Sequence, residues 1–310
     1  MGPVVVTGAA GFIGAAFVHA LVGDGCAVTA VVHPRTDAWR LADLTTRITL
    51  ELTDLHDVAT LSAAMRRAGP RLVIHAAAGG GHPTDRPGRE AAWRDTVLAT
   101  ASLWDCLDGL GVERVVHLGS PLECAPDDRP LREDDPLAPE TARGVLKAAA
   151  LLTARQRAEE LGVPVVVARV FSAYGPGEPG SRLVPTVLRC LRSGAPFRIT
   201  AGTARRDFVH VDDVVDACLL AATRSLPAGE ILNIGTGVET SNDELVALAE
   251  EVTGQTLVRD DRPFARRPAD RAHCVADVTK TARLLGWRAG IGLADGLART
   301  YATARAMAER

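Results

Sequence analysis

The chain has 310 residues, 47% hydrophobic and 24% charged, with a formal net charge of -3 at pH 7. A chain of this size buries one or two cores without disulfides or a partner subunit. Its basic residues are dispersed apart from pairs such as Arg205-Arg206 and Arg266-Arg267; the electrostatic case for nucleic acid or a membrane surface is therefore weak, and a small molecule is the expected partner.

The opening PVVVTG reads as a buried strand. No basic segment leading into a long apolar core precedes it and no later apolar run reaches spanning length, so neither export nor membrane anchoring is expected. TGAAGFIG then sets Gly8, Gly11 and Gly14 at three-residue intervals, with Phe12 and Ile13 opening a helix. Backbone that turns tightly and approaches a pyrophosphate leaves no room for Cβ atoms, and a helix N-terminus offers N–H groups and a positive dipole end to the anion. The alternative is that these glycines only allow close helix packing.

The second strand, AVTAVVH, ends in His33, with Arg35 and Arg40 following. An acidic residue there would accept the ribose hydroxyls of NAD, whereas this basic set suits a 2′-phosphate, so NADP(H) is the expected cofactor. NAD is the alternative if Arg35 is a solvated loop residue. The third strand, ITLEL, brings Glu51 towards an adenine amino group with Leu52 beside it, and Asp57 caps a helix that stops at Gly69-Pro70. RLVIHAAA is the fourth strand, whose small Ala76, Ala77 and Ala78 let backbone pass beside a cofactor; VERVVHLGS and VPVVVARV are the fifth and sixth. Continuous apolar strands alternating with helix-length segments predict a Rossmann-type, doubly wound parallel α/β sheet.

After Arg169 the texture changes to the turn-rich AYGPGEPGSR, a helix, a short strand near FRIT, then RRDFVHVDD and another helix. EILNIGTG, SNDELVALAEEVTG, a Pro- and Arg-rich loop and two helices complete the chain. This divides it into a dinucleotide-binding domain over 1–170, to which 206–235 returns, and a smaller interleaved C-terminal substrate-binding region over 171–205 and 236–310, expected to cap the carboxyl edge of the sheet. Six cysteines, Cys26, Cys106, Cys124, Cys190, Cys218 and Cys274, include no Cys-x-x-Cys pair. That argues against zinc and against a disulfide framework; no metal site and a cytoplasmic location are expected.

TGAAGFIG, VIHAAA, LKAAA, RVFSAYGPG, RRDFVHVDDVVDA, LNIGTG and RRPADRAHCVADVTKTARLLGW occur in this order over nearly the whole chain. In them the sequence resembles the extended short-chain dehydrogenase/reductases, the NAD-dependent epimerase/dehydratase family acting on nucleotide sugars. The resemblance implies a sugar-nucleotide contact for Arg206 and a phosphate contact for Arg267. The alternative for both is an ion pair with Asp207, Asp212 or Asp270. Ser172 stands where an asparagine often contacts the substrate.

In the family a tyrosine exchanges a proton with the sugar oxygen, and a lysine four residues later lowers its pKa and binds the nicotinamide ribose. In ETARGVLK the lysine is Lys147, but Arg143 occupies the tyrosine position. Tyr174 and Tyr301, the two tyrosines of the chain, lie far away in sequence. The family's catalytic serine or threonine matches Ser120 in one register; in the other Pro121 replaces it, with Glu123 and Cys124 on the Glu-Tyr of the related pattern. Arginine stays charged at working pH and serves as a fixed cation rather than a proton donor. Replacement acids are Glu123, Cys124, His82 and His117, although each of these also reads as a structural or solvated residue.

The expected function is an NADP(H)-binding enzyme reducing or epimerising a nucleotide sugar at an atypical centre, as a homodimer. The alternatives are a non-redox lyase, cyclase or isomerase, and a catalytically silent cofactor-binding subunit.

Overall fold

A computed structural model describes residues 2–79, 85–198, 204–260 and 273–308. Seven strands form the main sheet: β1 (Val4–Thr7), β2 (Val28–Val32), β3 (Thr49–Leu52), β4 (Leu72–His75), β5 (Arg114–Gly119), β6 (Val165–Val170) and, at the far edge, Glu230–Ile234. From that edge inwards the order is Glu230–Ile234, β6, β5, β4, β1, β2, β3. The order reverses between β1 and β4, and in open parallel sheets the crevice beyond the strand C-termini at that point takes the ligand.

The strands and their connecting helices follow the sequence pattern. β1, β2, β4 and β6 are buried along their whole length, as continuous apolar runs require, whereas β3 at the edge is mostly exposed. α1 (Phe12–Gly23) links β1 to β2; α2 (Val58–Ala68) starts where the Asp57 side chain accepts the Thr60 N–H and stops at Gly69, whose φ is 51°. α3 (Arg86–Trp93), a π-helical turn (Arg94–Leu98) and α4 (Ala99–Asp105) precede β5, and α5 (Ala142–Leu161) precedes β6. One face of the sheet is sealed by Leu61 and Met65 of α2, Leu103 and Trp104 of α4, and Ala154 and Ala158 of α5, packed on Val5, Val73, Val115 and Val165.

The chain separates into two compact units, 1–125 with 136–169 and 215–232, and 126–135 with 170–214 and 233–310. The second unit has its own core, in which Tyr174, Val187, Phe208, Leu245, Val246 and Leu297 meet. It holds two short strand pairs: β7 (Ser172–Tyr174) with β9 (Phe208–His210), and β8 (Arg205–Arg206) with the segment Thr240–Ser241. The strand expected near FRIT reduces to one bridge from Phe197 to Arg259; Ile199 and Thr200 lie outside the described residues.

Candidate active site

At the C-terminal end of β1 the chain turns through Gly8, with φ 64°. A Cβ there would stand 2.7 Å from the backbone of Ala77, so the loops after β1 and β4 touch, and Ala76 to Ala78 flank the turn. Gly11 caps α1 and its N–H donates to the Gly8 carbonyl at 2.9 Å, while a Cβ on Gly14 would meet that carbonyl at 2.2 Å. No side chain caps α1 and no acidic residue lies in its first turn, where Phe12 and Ile13 stand. The helix end therefore keeps its N–H groups and positive dipole for an anion, and the residues present fit a dinucleotide pyrophosphate.

The expected adenosine-end residues have mixed fates. His33 Nδ1 accepts the Arg35 N–H at 3.1 Å and its Nε2 lies 3.5 Å from Asp54, a carboxylate the sequence reading did not place there. Arg40 reaches the phosphate loop, where Nη1 donates to the Ala10 carbonyl at 3.1 Å while the guanidinium stacks 4.3 Å over Trp39. Arg35 is exposed, as is Leu52. Glu51, read as an adenine acceptor, is instead ion-paired to Arg67 at 2.8 Å, because its neighbour on the exposed edge strand is the last turn of α2.

A small cleft is lined by Ala78, Gly79, Ala92, Thr96, Arg143, Leu146 and Lys147. Thr96 lies in the π-helical turn, a local widening that re-aims side chains and is frequent at functional sites. Its hydroxyl accepts the Gly79 N–H at 2.9 Å. α5 brings the two cations in: Thr141 caps it, and Gly144 lies so close to the Leu122 carbonyl that a Cβ would stand 2.2 Å away. One turn along, Lys147 Nζ donates to the Leu118 carbonyl at 2.7 Å. Burial is the largest influence on its ammonium and pushes it down; Glu123 pulls it up and Arg143 pushes it down, leaving it at about 8.

The residues around the end of β5 are tied into the strand end to different degrees. Ser120 caps the short turn Pro121–Glu123, its Oγ accepting the Leu122 N–H at 3.3 Å. Glu123 is fully buried: Oε1 accepts the Ser120 N–H at 2.7 Å, and Oε2 lies 3.5 Å from Nε of the equally buried Arg169. Burial raises its pKa foremost, against the opposing pull of Arg169 and Lys147. Glu123 therefore anchors the strand end instead of facing a ligand.

Cys124 and His117 are buried too. His82 lies outside the described residues. Tyr174 sits in the core of the second unit with its hydroxyl 3.5 Å from the Leu293 carbonyl, and burial, the largest influence, raises its pKa.

Beneath the cleft lies a polar chain that sequence reasoning missed. The Thr100 hydroxyl donates to the Thr96 carbonyl at 2.7 Å, so His75 Nε2 is assigned as donor to Thr100 Oγ1 at 3.0 Å and His75 Nδ1 as acceptor from Thr7 at 2.7 Å. His117, paired with His75 across β4 and β5, lies with its ring centroid 5.3 Å away and tilted by 43°. Burial foremost, then the Lys147 charge, pushes His75 down to about 3, and His117 is also lowered well below its ordinary value. Both rings are neutral. The i, i+4 spacing of Thr96 and Thr100 was the only sequence signal.

In the second unit Ser172 donates its N–H to the Asp207 carbonyl. Arg206 lies on β8, half-buried, and Arg267 lies outside the described residues. Asp207, considered as an arginine partner, is instead a buried hub: its carboxylate accepts the N–H groups of Thr236, Gly237 and Ala276 and the Thr236 hydroxyl. Among the described residues no group of three His, Cys, Asp or Glu could hold a metal ion, and no helix is long and apolar enough to cross a membrane.

Residues 4–235 match the NAD dependent epimerase/dehydratase family. The chain is 32% identical to a dTDP-glucose 4,6-dehydratase of Streptomyces griseus, over 96% of this chain and 92% of that protein. It is 30% identical to a UDP-glucose 4-epimerase of Mycolicibacterium smegmatis, over 96% of each. Among solved structures it is similar to MoeE5 in complex with UDP-glucose and NAD, with a TM-score of 0.89, 33% identity, and 99% of this chain and 100% of that one covered. With the Rossmann sheet, the open α1 N-terminus and the Lys147 cleft in place, the chain belongs to the NAD-dependent epimerase/dehydratase family.

Proposed function

We propose that this protein binds NADP(H) and reduces or epimerises a nucleotide sugar at a centre where a cation replaces the usual proton donor. The observation that carries this reading is that Arg143 and Lys147, one helical turn apart, line the same cleft as Ala78 and Gly79, next to the loop that Gly8 supports. A bound nicotinamide supplies two-electron exchange at a sugar carbon. The Gly8–Gly14 loop and the α1 N-terminus hold the pyrophosphate, Lys147 binds beside the reacting sugar oxygen, and Arg143 stabilises negative charge developing there.

The ligand class is supported by the relatives, a dTDP-glucose dehydratase, a UDP-glucose epimerase and MoeE5 with bound UDP-glucose, and Arg206, Arg267 and Ser172 are the proposed substrate contacts. For the cofactor, Arg35, Arg40 and His33 favour a 2′-phosphate, whereas Asp54, 3.5 Å from His33, favours the ribose hydroxyl of NAD found with MoeE5. Mass spectrometry of any dinucleotide released on denaturation, followed by titration of the stripped protein with NADPH and NADH, tests this; tightly held NAD overturns the NADP assignment.

A second reading, elimination or isomerisation with Arg143 as an electrostatic clamp and no net redox change, is favoured by the burial of Glu123, Cys124, His117 and Tyr174, which leaves those acids out of the cleft's lining. Product appearing with the dinucleotide unchanged would select it. For assembly, we propose a homodimer formed through α5, on which Val145 and Leu152 are 47% and 53% exposed.

A further inference from the structure

We infer that Lys147 itself carries the proton to and from the substrate oxygen in this enzyme, rather than only holding the cofactor and tuning a neighbouring acid. The inference rests on the reading of the cleft as a nucleotide-sugar centre. Lys147 lines the cleft, and its Nζ is held at 2.7 Å by a neutral acceptor, the Leu118 carbonyl, not by a carboxylate. The groups facing it are Arg143 on its own helix, Glu123 from the turn after β5, His117 on β5 and His75 on β4. Glu123 is committed to Arg169 and the Ser120 N–H, and the two histidines are neutral.

Composition supplies an independent argument. Of 35 basic residues only two are lysines, Lys147 and Lys280; the chain uses arginine almost everywhere else. Charge alone would be met by arginine, whereas an ammonium differs in being able to lose a proton at working pH. Burial and Arg143 against Glu123 leave Lys147 at about 8, where a group is matched to both donating and accepting.

In the reductive direction the carbonyl oxygen takes a proton as the Nζ–H bond breaks, and the carbonyl carbon takes a hydrogen with two electrons from the reduced dinucleotide. Neutral Lys147 then regains its proton from solvent. In the oxidative direction neutral Nζ removes the hydroxyl proton.

The test begins with protein labelled with ¹³C at lysine Cε, in which Lys280→Arg assigns the two lysine signals, titrated against pH alone and with saturating NADPH. The expected result is Lys147 titrating near 8, below the ordinary lysine value, and moving upward in Arg143→Gln. Titration of Lys147 at or above the ordinary lysine value of about 10.4 would overturn the inference. Lys147→Arg, which keeps the cation but cannot release a proton, is expected to lower turnover of a UDP- or dTDP-sugar panel ~10²–10⁴-fold when read at saturating dinucleotide. Retention of a tenth of the wild-type rate in Lys147→Arg would also overturn it. If wild-type protein converts no sugar, the nucleotide-sugar reading fails, while the lysine titration, which needs no sugar, still decides the ionisation on which the role of Lys147 depends.

Discussion

Replacing Glu123 by alanine removes the carboxylate from an ion pair in which both side chains are fully buried. At 3.5 Å and an effective dielectric of about 20, the attraction between Glu123 and Arg169 is about 5 kcal/mol before desolvation. Breaking one side of a buried pair costs about 3–5 kcal/mol, because the remaining charge stays in the interior. The Ser120 N–H also loses its 2.7 Å acceptor, a penalty of about 1–3 kcal/mol that overlaps with the first. Glu123→Ala is therefore expected to lower unfolding stability by about 3–5 kcal/mol. Glu123→Gln, whose amide oxygen still accepts from Ser120, should cost less. The pair Glu123→Leu with Arg169→Met should recover most of the loss, since a buried ion pair exchanged for apolar side chains of similar volume is often neutral. Urea unfolding without cofactor, compared at constant m, measures all three. A cost below about 1 kcal/mol for Glu123→Ala, or a double variant as weak as the single one, would refute the reasoning.

Gly8→Ala places a Cβ 2.7 Å from the Ala77 backbone at a φ of 64°, so dinucleotide affinity measured by calorimetry should fall at least tenfold, about 1.4 kcal/mol. Arg40→Ala should weaken NADPH roughly tenfold more than NADH, the effect of about one charge-assisted hydrogen bond; equal losses would contradict a 2′-phosphate role. Burial, opposed by Arg182, raises Glu178 to about 8. With the folded value above the ordinary carboxylate value, its stabilisation is present below about pH 4.3 and is lost as pH rises through about 8. Glu178→Gln should flatten the decline in stability between those limits, and parallel wild-type and variant profiles would contradict the assignment.

The parts of the fold that depend on local pattern were readable in the sequence. Uninterrupted runs such as PVVVT and VVVARV gave the strands, Gly8 marked the turn it makes, and Asp57 caps α2 as its position suggests. What was not readable depends on partners far along the chain. Glu123 looks like a catalytic acid in a motif, and only Arg169 on the next strand shows it to be buried and paired. Glu51 invites an adenine role until α2 folds back and supplies Arg67. His75 acquires its neutral, fixed tautomer from Thr7 and Thr100, 68 and 25 residues away. The π-helical turn that presents Thr96 leaves no periodicity signal, since one inserted residue does not change the composition of a helix. In the second unit Asp207 resembles any acidic neighbour of Arg206 until the loop 235–237 closes on it.

The most direct test of the central claim, that the Lys147 cleft is a dinucleotide-dependent nucleotide-sugar centre, is to incubate the protein, loaded separately with NADPH and with NAD, with a panel of UDP- and dTDP-linked hexoses and 4-keto hexoses. Absorbance at the reduced-nicotinamide band and chromatography of the sugar nucleotides are followed together. The account predicts conversion of at least one sugar, as a 4-epimer or a reduced product, that requires the dinucleotide and is lost in Lys147→Arg. Failure to bind either dinucleotide, or conversion at the full rate without one, would contradict it.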